Sequence, residues 1–202
     1  VARIGILYYS MYGQTYDLAQ ALAKGVADAG GEVALRRAPE TLPQEVVDAQ
    51  GLQPIIDRQA DAETASVDEL PSFDGLLIGG PTRYGSTVAQ LQNFLDQTGA
   101  LWAEGKLVGK AAGFFTGAAT IHGGHESTLL GMSTFAFHHG MVIVPAGYAI
   151  PESQSTRTGG GPYGPTHFAP QDGSKPGLSD EEIAFAGAYG RHFHGVAAKL
   201  AA

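Results

Sequence analysis

The opening of the chain constrains it most. From Ala2 to Tyr9 the residues form an apolar run rich in β-branched and aromatic side chains, the composition of a strand buried on both faces of a parallel sheet. The run stops at Ser10-Met11-Tyr12-Gly13-Gln14-Thr15, and from Tyr16 to Val26 the apolar positions Leu18, Ala19, Leu22, Ala23 and Val26 follow helical spacing. The turn therefore joins the carboxyl end of a strand to the amino end of a helix, where α/β proteins bind anions. Ser10 and Thr15 offer hydroxyls, Gly13 lets the backbone bend close, and the helix dipole adds partial positive charge. No lysine or arginine lies in the turn.

That composition excludes two phosphate-binding designs. A Walker A loop ends in Gly-Lys-Ser/Thr, and a dinucleotide turn reads Gly-x-Gly-x-x-Gly; neither pattern stands here. A formal Gly-x-Gly-x-x-Gly does occur from Gly159 to Gly164, but no strand precedes it and Pro162 and Pro165 exclude a helix, so it reads as a loop. A Gly-x-Ser-x-Gly nucleophile elbow is missing. The histidine pairs His122 with His125, three apart, and His192 with His194, two apart, lack a third ligand at metal spacing, so no metal site is expected. Without cysteine there is neither a thiol nucleophile nor a disulfide, and redox chemistry has to come from a bound cofactor. The net charge of −8, with Lys and Arg scattered, speaks against nucleic acid as a partner. No apolar run approaches the ~18 residues of a membrane span, and the chain enters a strand at once instead of a signal peptide. A cytoplasmic setting is expected.

Further along, Gly30-Gly31 stops the first helix and Glu32 to Arg37 reads as a second strand. Asp74 to Gly80 is a third strand running into Pro81-Thr82-Arg83-Tyr84-Gly85, and Lys110 to Thr116 a fourth running into Gly117 to Gly124. Met141 to Pro145 is a fifth. Amphipathic helices follow the third and fourth strands, and Ser179-Asp180-Glu181-Glu182 caps a last helix carrying Ile183, Phe185, Tyr189 and Val196. Five strands alternating with helices predict a doubly wound parallel α/β sheet in the order 2-1-3-4-5. At 202 residues the chain predicts a single domain spanning residues 1–202, with excursions near 39–73 and 147–178. The second excursion reads as almost all loop. Three loops, after strands one, three and four, then meet at one sheet edge, suited to a phosphate at the first and a flat ring between the others.

Dense matches carry a resemblance beyond this. The runs Tyr8 to Gly13, Arg37 to Thr41, Pro81 to Gly85, Phe94 to Trp102, Phe137 to Pro145, Gly161 to Gly164 and Asp172 to Ser174 resemble the WrbA-type NAD(P)H:quinone oxidoreductases, flavodoxin-like proteins that bind FMN. The similarity covers nearly the whole chain apart from much of Gln44 to Val67.

The resemblance implies FMN as cofactor and NADH or NADPH and a quinone as substrates, with two-electron ping-pong hydride transfer in a homotetramer. By that implication Ser10-Met11-Tyr12-Gly13-Gln14-Thr15 hold the FMN phosphate, and Pro81-Thr82-Arg83-Tyr84-Gly85 line the isoalloxazine. Thr116-Gly117-Ala118-Ala119-Thr120-Ile121-His122 contact the ring's polar edge, together with His138 as a candidate flavin-edge stabiliser. Tyr12 resembles a residue that meets the nicotinamide nucleotide. Trp102, otherwise a core aromatic, resembles one that lines the quinone pocket across a subunit interface. Two positions depart from the family. Gly117-Ala118 stands where it usually has Ser-Thr, and His125 where it has Gln, so backbone amides of Gly117 to Thr120 have to replace the lost hydroxyls. The alternative on the same fold is a flavodoxin-type carrier of single electrons between proteins.

Overall fold

The computed structural model describes residues 1–148, 150–170 and 177–202. Strand β1 (Arg3–Tyr8) is buried beyond its first residue, and α1 (Gln14–Asp28) follows the turn at Gly13. Next come β2 (Glu32–Arg37), the short helices α2 (Gln44–Ala49) and α3 (Gln53–Asp57), β3 (Glu63–Thr64) and a 3-10 turn at Val67–Ser72. The first excursion thus contains two helices and an edge strand.

Strand β4 (Gly75–Arg83) runs three residues past its predicted end and turns back into β5 (Ser86–Thr87). Helices α4 (Ala89–Asp96) and α5 (Gly99–Ala103) lead to β6 (Ala111–Ala118), then α6 (His125–His138) and β7 (Val142–Ile143). The second excursion is not all loop. It holds α7 (Glu152–Ser155) and β8 (Thr166–Phe168) before α8 (Asp180–Leu200) closes the described chain. The Asp172 to Ser174 run lies outside the described residues.

The sequence predicts five strands; eight among the described residues form one sheet. Its main row is β3-β2-β1-β4-β6-β7, so the expected order describes all of that row but its edge strand β3, as β2-β1-β4-β6-β7. Strand β3 extends the row, β5 pairs antiparallel with β4, and β8 runs parallel to β6 at Thr116 to Ala118, while β7 pairs with Ala111 and Ala112 at that strand's other end. The outermost lane is therefore shared by two short strands.

Helices cover both faces. Helices α1 and α8 pack on one around Ile4, Ile6, Leu18, Leu22, Phe185, Tyr189 and Phe193. On the other, α4 and α6 pack around Leu76, Ile78, Leu91, Phe94, Leu129 and Met132. Contact between α1 and α8 is backbone-close: a Cβ on Gly25 would run into the Gly187 carbonyl, and one on Gly190 into the Leu22 carbonyl oxygen. The Ser179 capping box forms as expected, its hydroxyl accepting from the Glu182 amide at 3.2 Å and Glu182 accepting from the Ser179 amide at 2.8 Å. Of the apolar residues that helix α8 carries, Phe185 and Tyr189 are buried and Ile183 is exposed. Among the described residues no helix is long and apolar enough to cross a membrane.

Candidate functional site

The carboxyl ends of β1, β4 and β6 bring three loops to one edge, and the first is shaped for an anion. Ser10 is buried and its Oγ accepts from the Gly13 amide at 3.1 Å. Gly13 caps α1 with φ of 92°, in the left-handed region where a side chain is strained. Among the described residues no side chain caps α1, so the first amides of that helix remain available to a ligand.

The absence of cations in the loop sequence is made good from elsewhere. Arg58, just past α3, donates from Nη2 to the Gly13 carbonyl at 3.1 Å and to Asp17 Oδ1 at 2.8 Å. Arg83 reaches back from β4, with Nη2 3.2 Å from Met11 Sδ. Gln59 is buried beneath the loop and donates to the carbonyls of Ser10 at 3.3 Å and Ile55 at 2.9 Å. Asp17 sits in the first turn of α1. Burial pushes its carboxyl up from the ordinary value, and the adjacent Arg58 pulls it back.

Strand pairing, not irregular loop, places Pro81 to Arg83, with Pro81 opposite Gly117 and Arg83 opposite Ser86. Tyr84 and Gly85 form the two-residue turn between β4 and β5, both at positive φ (52° and 76°), as a type I′ hairpin turn requires. Tyr84 is the one non-glycine among the described residues in that region, and its ring is fully exposed. The hairpin is pinned to the start of α6: Thr128 Oγ1 donates to Thr82 Oγ1 at 2.8 Å, and Ser127 Oγ to the Gly85 carbonyl at 2.9 Å.

In the third loop, two expected donors are occupied by the sheet. Thr116 is fully buried, and its hydroxyl donates to the Gly80 carbonyl at 2.7 Å. Gly117 and Ala118 belong to β6 and pair with His167 and Phe168 of β8, so the irregular stretch begins at Ala119. His125 fastens that stretch. Its buried ring lies with Nδ1 3.2 Å from the Ile121 carbonyl oxygen and Nε2 3.1 Å from that of His167. Tyr12, Tyr84 and Ile121 are exposed, one on each loop.

The remaining two predicted residues lie at the other end of the molecule. Helix α6 starts at the loop edge and runs 14 residues back along the sheet, about 20 Å at 1.5 Å per residue. Its carboxyl end, His138, therefore lies near the amino end of β6, where the Gly109 amide donates to the Gly140 carbonyl at 2.9 Å. Within one chain His138 does not join the three loops. It meets Trp102 instead: both line a cleft of about 360 Å³ between α4, α5 and α6, with Leu95, Phe135 and His139. His139 is buried, with Nε2 3.0 Å from Thr98 Oγ1 and its ring 4.4 Å from that of Phe135, and burial lowers its proton affinity. Trp102 itself is 58 % exposed.

A family model described as NADPH-dependent FMN reductase matches residues 3–155. A Geobacter sulfurreducens protein named NAD(P)H dehydrogenase (quinone) is 46 % identical over 200 residues, covering 96 % of this chain and 97 % of that one. Its namesake from Sinorhizobium fredii is 44 % identical over 203 residues, covering 100 % of both. The chain belongs to the NAD(P)H dehydrogenase (quinone) family. The crystal structure of a WrbA-like flavodoxin protein from Agrobacterium tumefaciens, 23 % identical, superimposes with a TM-score of 0.66 over 98 % of this chain and 99 % of that one, which shows the flavodoxin-like fold.

In this member of the family, Arg58 and Gln59 are the residues at the loop edge that sequence reasoning missed. They fall in a polar stretch with no strong periodicity, and their partners lie 41 and 49 residues away. Nothing local marks them. His125 was visible as half of a histidine pair and as a departure from the family, without its role as a fastener.

Proposed function

We propose that this chain is an FMN-dependent NAD(P)H:quinone oxidoreductase working by two-electron, ping-pong hydride transfer. The observation that carries this reading is the loop edge, where an uncapped helix amino terminus and two guanidinium groups adjoin two loops bearing exposed Tyr84 and Ile121. The donor set fits FMN. A phosphate is matched by the Ser10 hydroxyl, the first amides of α1 and nearby positive charge, and a flat ring by the gap that the β4–β5 turn and the 119–122 stretch bound. FMN, when bound, supplies hydride-accepting and hydride-donating chemistry between NADH or NADPH and a quinone.

The chain's own residues bind and orient. Ser10 to Thr15 hold the phosphate end, Pro81 to Gly85 and Ala119 to His122 line the ring, and amides from Ala119 onward are the donors available to negative charge developing at its polar edge. Tyr12 and Tyr84 shield the substrates' side from water. Because Trp102 and His138 share a cleft at the opposite edge, they serve the site of a neighbouring copy in a homotetramer, where Trp102 lines the quinone pocket. Each chain forms one FMN-binding domain, and a cytoplasmic site of action goes with its dependence on nicotinamide nucleotides.

The test is anaerobic mixing of FMN-loaded protein with NADH or NADPH, then with benzoquinone. Expected is rapid bleaching of the flavin absorbance, followed by its full return with one equivalent of quinone consumed. Protein that takes up no FMN would overturn the reading; FMN-loaded protein that leaves both nucleotides unoxidised would favour the one-electron carrier instead.

A further inference from the structure

We propose that the segment between β2 and β4 is part of the flavin site, with Arg58 selecting the phosphorylated flavin over the unphosphorylated one and Asp17 positioning it. This rests on the FMN reading above and adds to it. Three contacts seat the segment on α1 and the turn before it: Arg58 on Asp17, Gln59 on the Ser10 carbonyl, and Asp61, whose Oδ1 accepts from the Tyr16 hydroxyl at 2.6 Å. The Arg58 guanidinium also lies over the Tyr16 ring, 5.4 Å from its centroid. It presses on the turn itself, since a Cβ on Gly13 would come within 2.6 Å of Nη2.

Charge explains why such a contact is needed. A phosphate ester carries about −1.5 to −2 at neutral pH, and the helix end offered to it holds an acid, Asp17, in its first turn and no base. Arg58 cancels that acid at 2.8 Å and places a planar five-donor group beside the loop, with half of its side chain still exposed. Gln59 points the same way. It is buried against Ser10, and its Oε1 has no hydrogen-bond partner among the described residues. A buried carbonyl of this kind calls for a donor, which a ligand hydroxyl next to the phosphate supplies. A residue that merely covered the sheet edge would require neither feature.

The experiment titrates flavin-free full-length protein with FMN and with riboflavin, following quenching of flavin fluorescence, for the wild type, Arg58→Gln, Arg58→Lys, Asp17→Asn and the Arg58→Gln/Asp17→Asn double variant. Expected for Arg58→Gln is an FMN affinity about tenfold weaker, the loss of one charge-assisted contact, with riboflavin affinity unchanged. Arg58→Lys keeps the charge without the fork and falls between. The double variant recovers part of the loss, because no uncompensated carboxylate remains near the phosphate. Equal FMN affinity in Arg58→Gln and wild type overturns the proposal, as does an equal loss for both flavins, which would mark a buttress for α1. Should Arg58→Gln fail to give a cooperative thermal transition, Arg58→Lys and Asp17→Asn carry the same comparison. A wild type that binds neither flavin sinks the FMN reading itself, so the two failures are distinct.

Discussion

The two ends of the sheet are built from opposite materials. At the carboxyl edge side chains reach residues distant in sequence to hold main-chain carbonyls: Arg58 to Gly13, Gln59 to Ser10, Ser127 to Gly85. In the cleft at the amino edge such bonds stay within one helical turn, Thr98 to Leu95 and Thr134 to Gly131, and the rings of Trp102, Phe135, His138 and His139 line it. The first edge is preorganised for a charged, directional ligand, since fixed backbone dipoles cost little to arrange at the moment of binding. The second presents apolar area, suited to closing over something else. On the proposed function, residues for one reaction are divided between two surfaces that lie at opposite ends of the sheet in a single chain.

The largest way to break that contrast is Gly13→Ala. It forces a side chain into the left-handed region, at a cost of about 1–2 kcal/mol, and drives Arg58 off the turn. Expected is protein that elutes from gel filtration without FMN yet keeps the wild-type molar mass by light scattering. If the mass fell too, the edges would not be separable.

Next in size is Trp102→Ala, which attacks the other edge. Truncating an aromatic that anchors an interface commonly costs about 2 kcal/mol, so the tetramer should loosen and quinone turnover drop, with FMN content intact. A variant with unchanged mass and quinone kinetics would remove the shared-pocket idea while leaving the cofactor site standing.

His125→Ala sharpens the carboxyl edge by removing a fastener without touching the turn at Gly13. Urea unfolding should show a loss of about 1–2 kcal/mol, from the hydrogen bond that an N–H of the buried ring donates to one of the two carbonyls it faces, and amide exchange should quicken between Ala119 and Gly124. Exchange at that stretch as slow as in the wild type would show that β8 alone holds it.

The smallest effect belongs to the amino edge and to pH. Burial makes His139 harder to protonate than an ordinary histidine, so on acidification below about 6.5 the unfolded chain takes up this proton first and stability falls. His139→Gln should flatten that part of the profile. A wild-type stability that rose on acidification through the same range would contradict the assignment.

What could be read from the sequence divides along similar physical lines. The β1 turn, the capping box at Ser179 and Glu182, and the five strands of the expected order were legible because each rests on a local pattern: an apolar run, a glycine stop, a hydroxyl three residues before an acid. Strands β4 and β6 outran their predicted ends because partners across the ladder, β5 and β8, extend them. Three-residue β8 lies in a stretch dense in Gly and Pro whose composition spoke for loop. The position of His138 depends on which way α6 runs along the sheet, and a motif of neighbouring residues carries no such direction. Thr116 looked like a free hydroxyl until the Gly80 carbonyl beside it was known.

The divided outer lane of the sheet has a consequence in time. Strand β7 reaches the amino half of β6 about thirty residues after that half is made, whereas the carboxyl half, Thr116 to Ala118, waits for residues 166–168. At about 5–20 residues per second, a ribosome delivers that last neighbour seconds after the rest of the row. During synthesis the ligand-facing end of β6 is therefore the last part of the lane to be zipped, and one wall of the cradle is missing until residues 166–168 arrive.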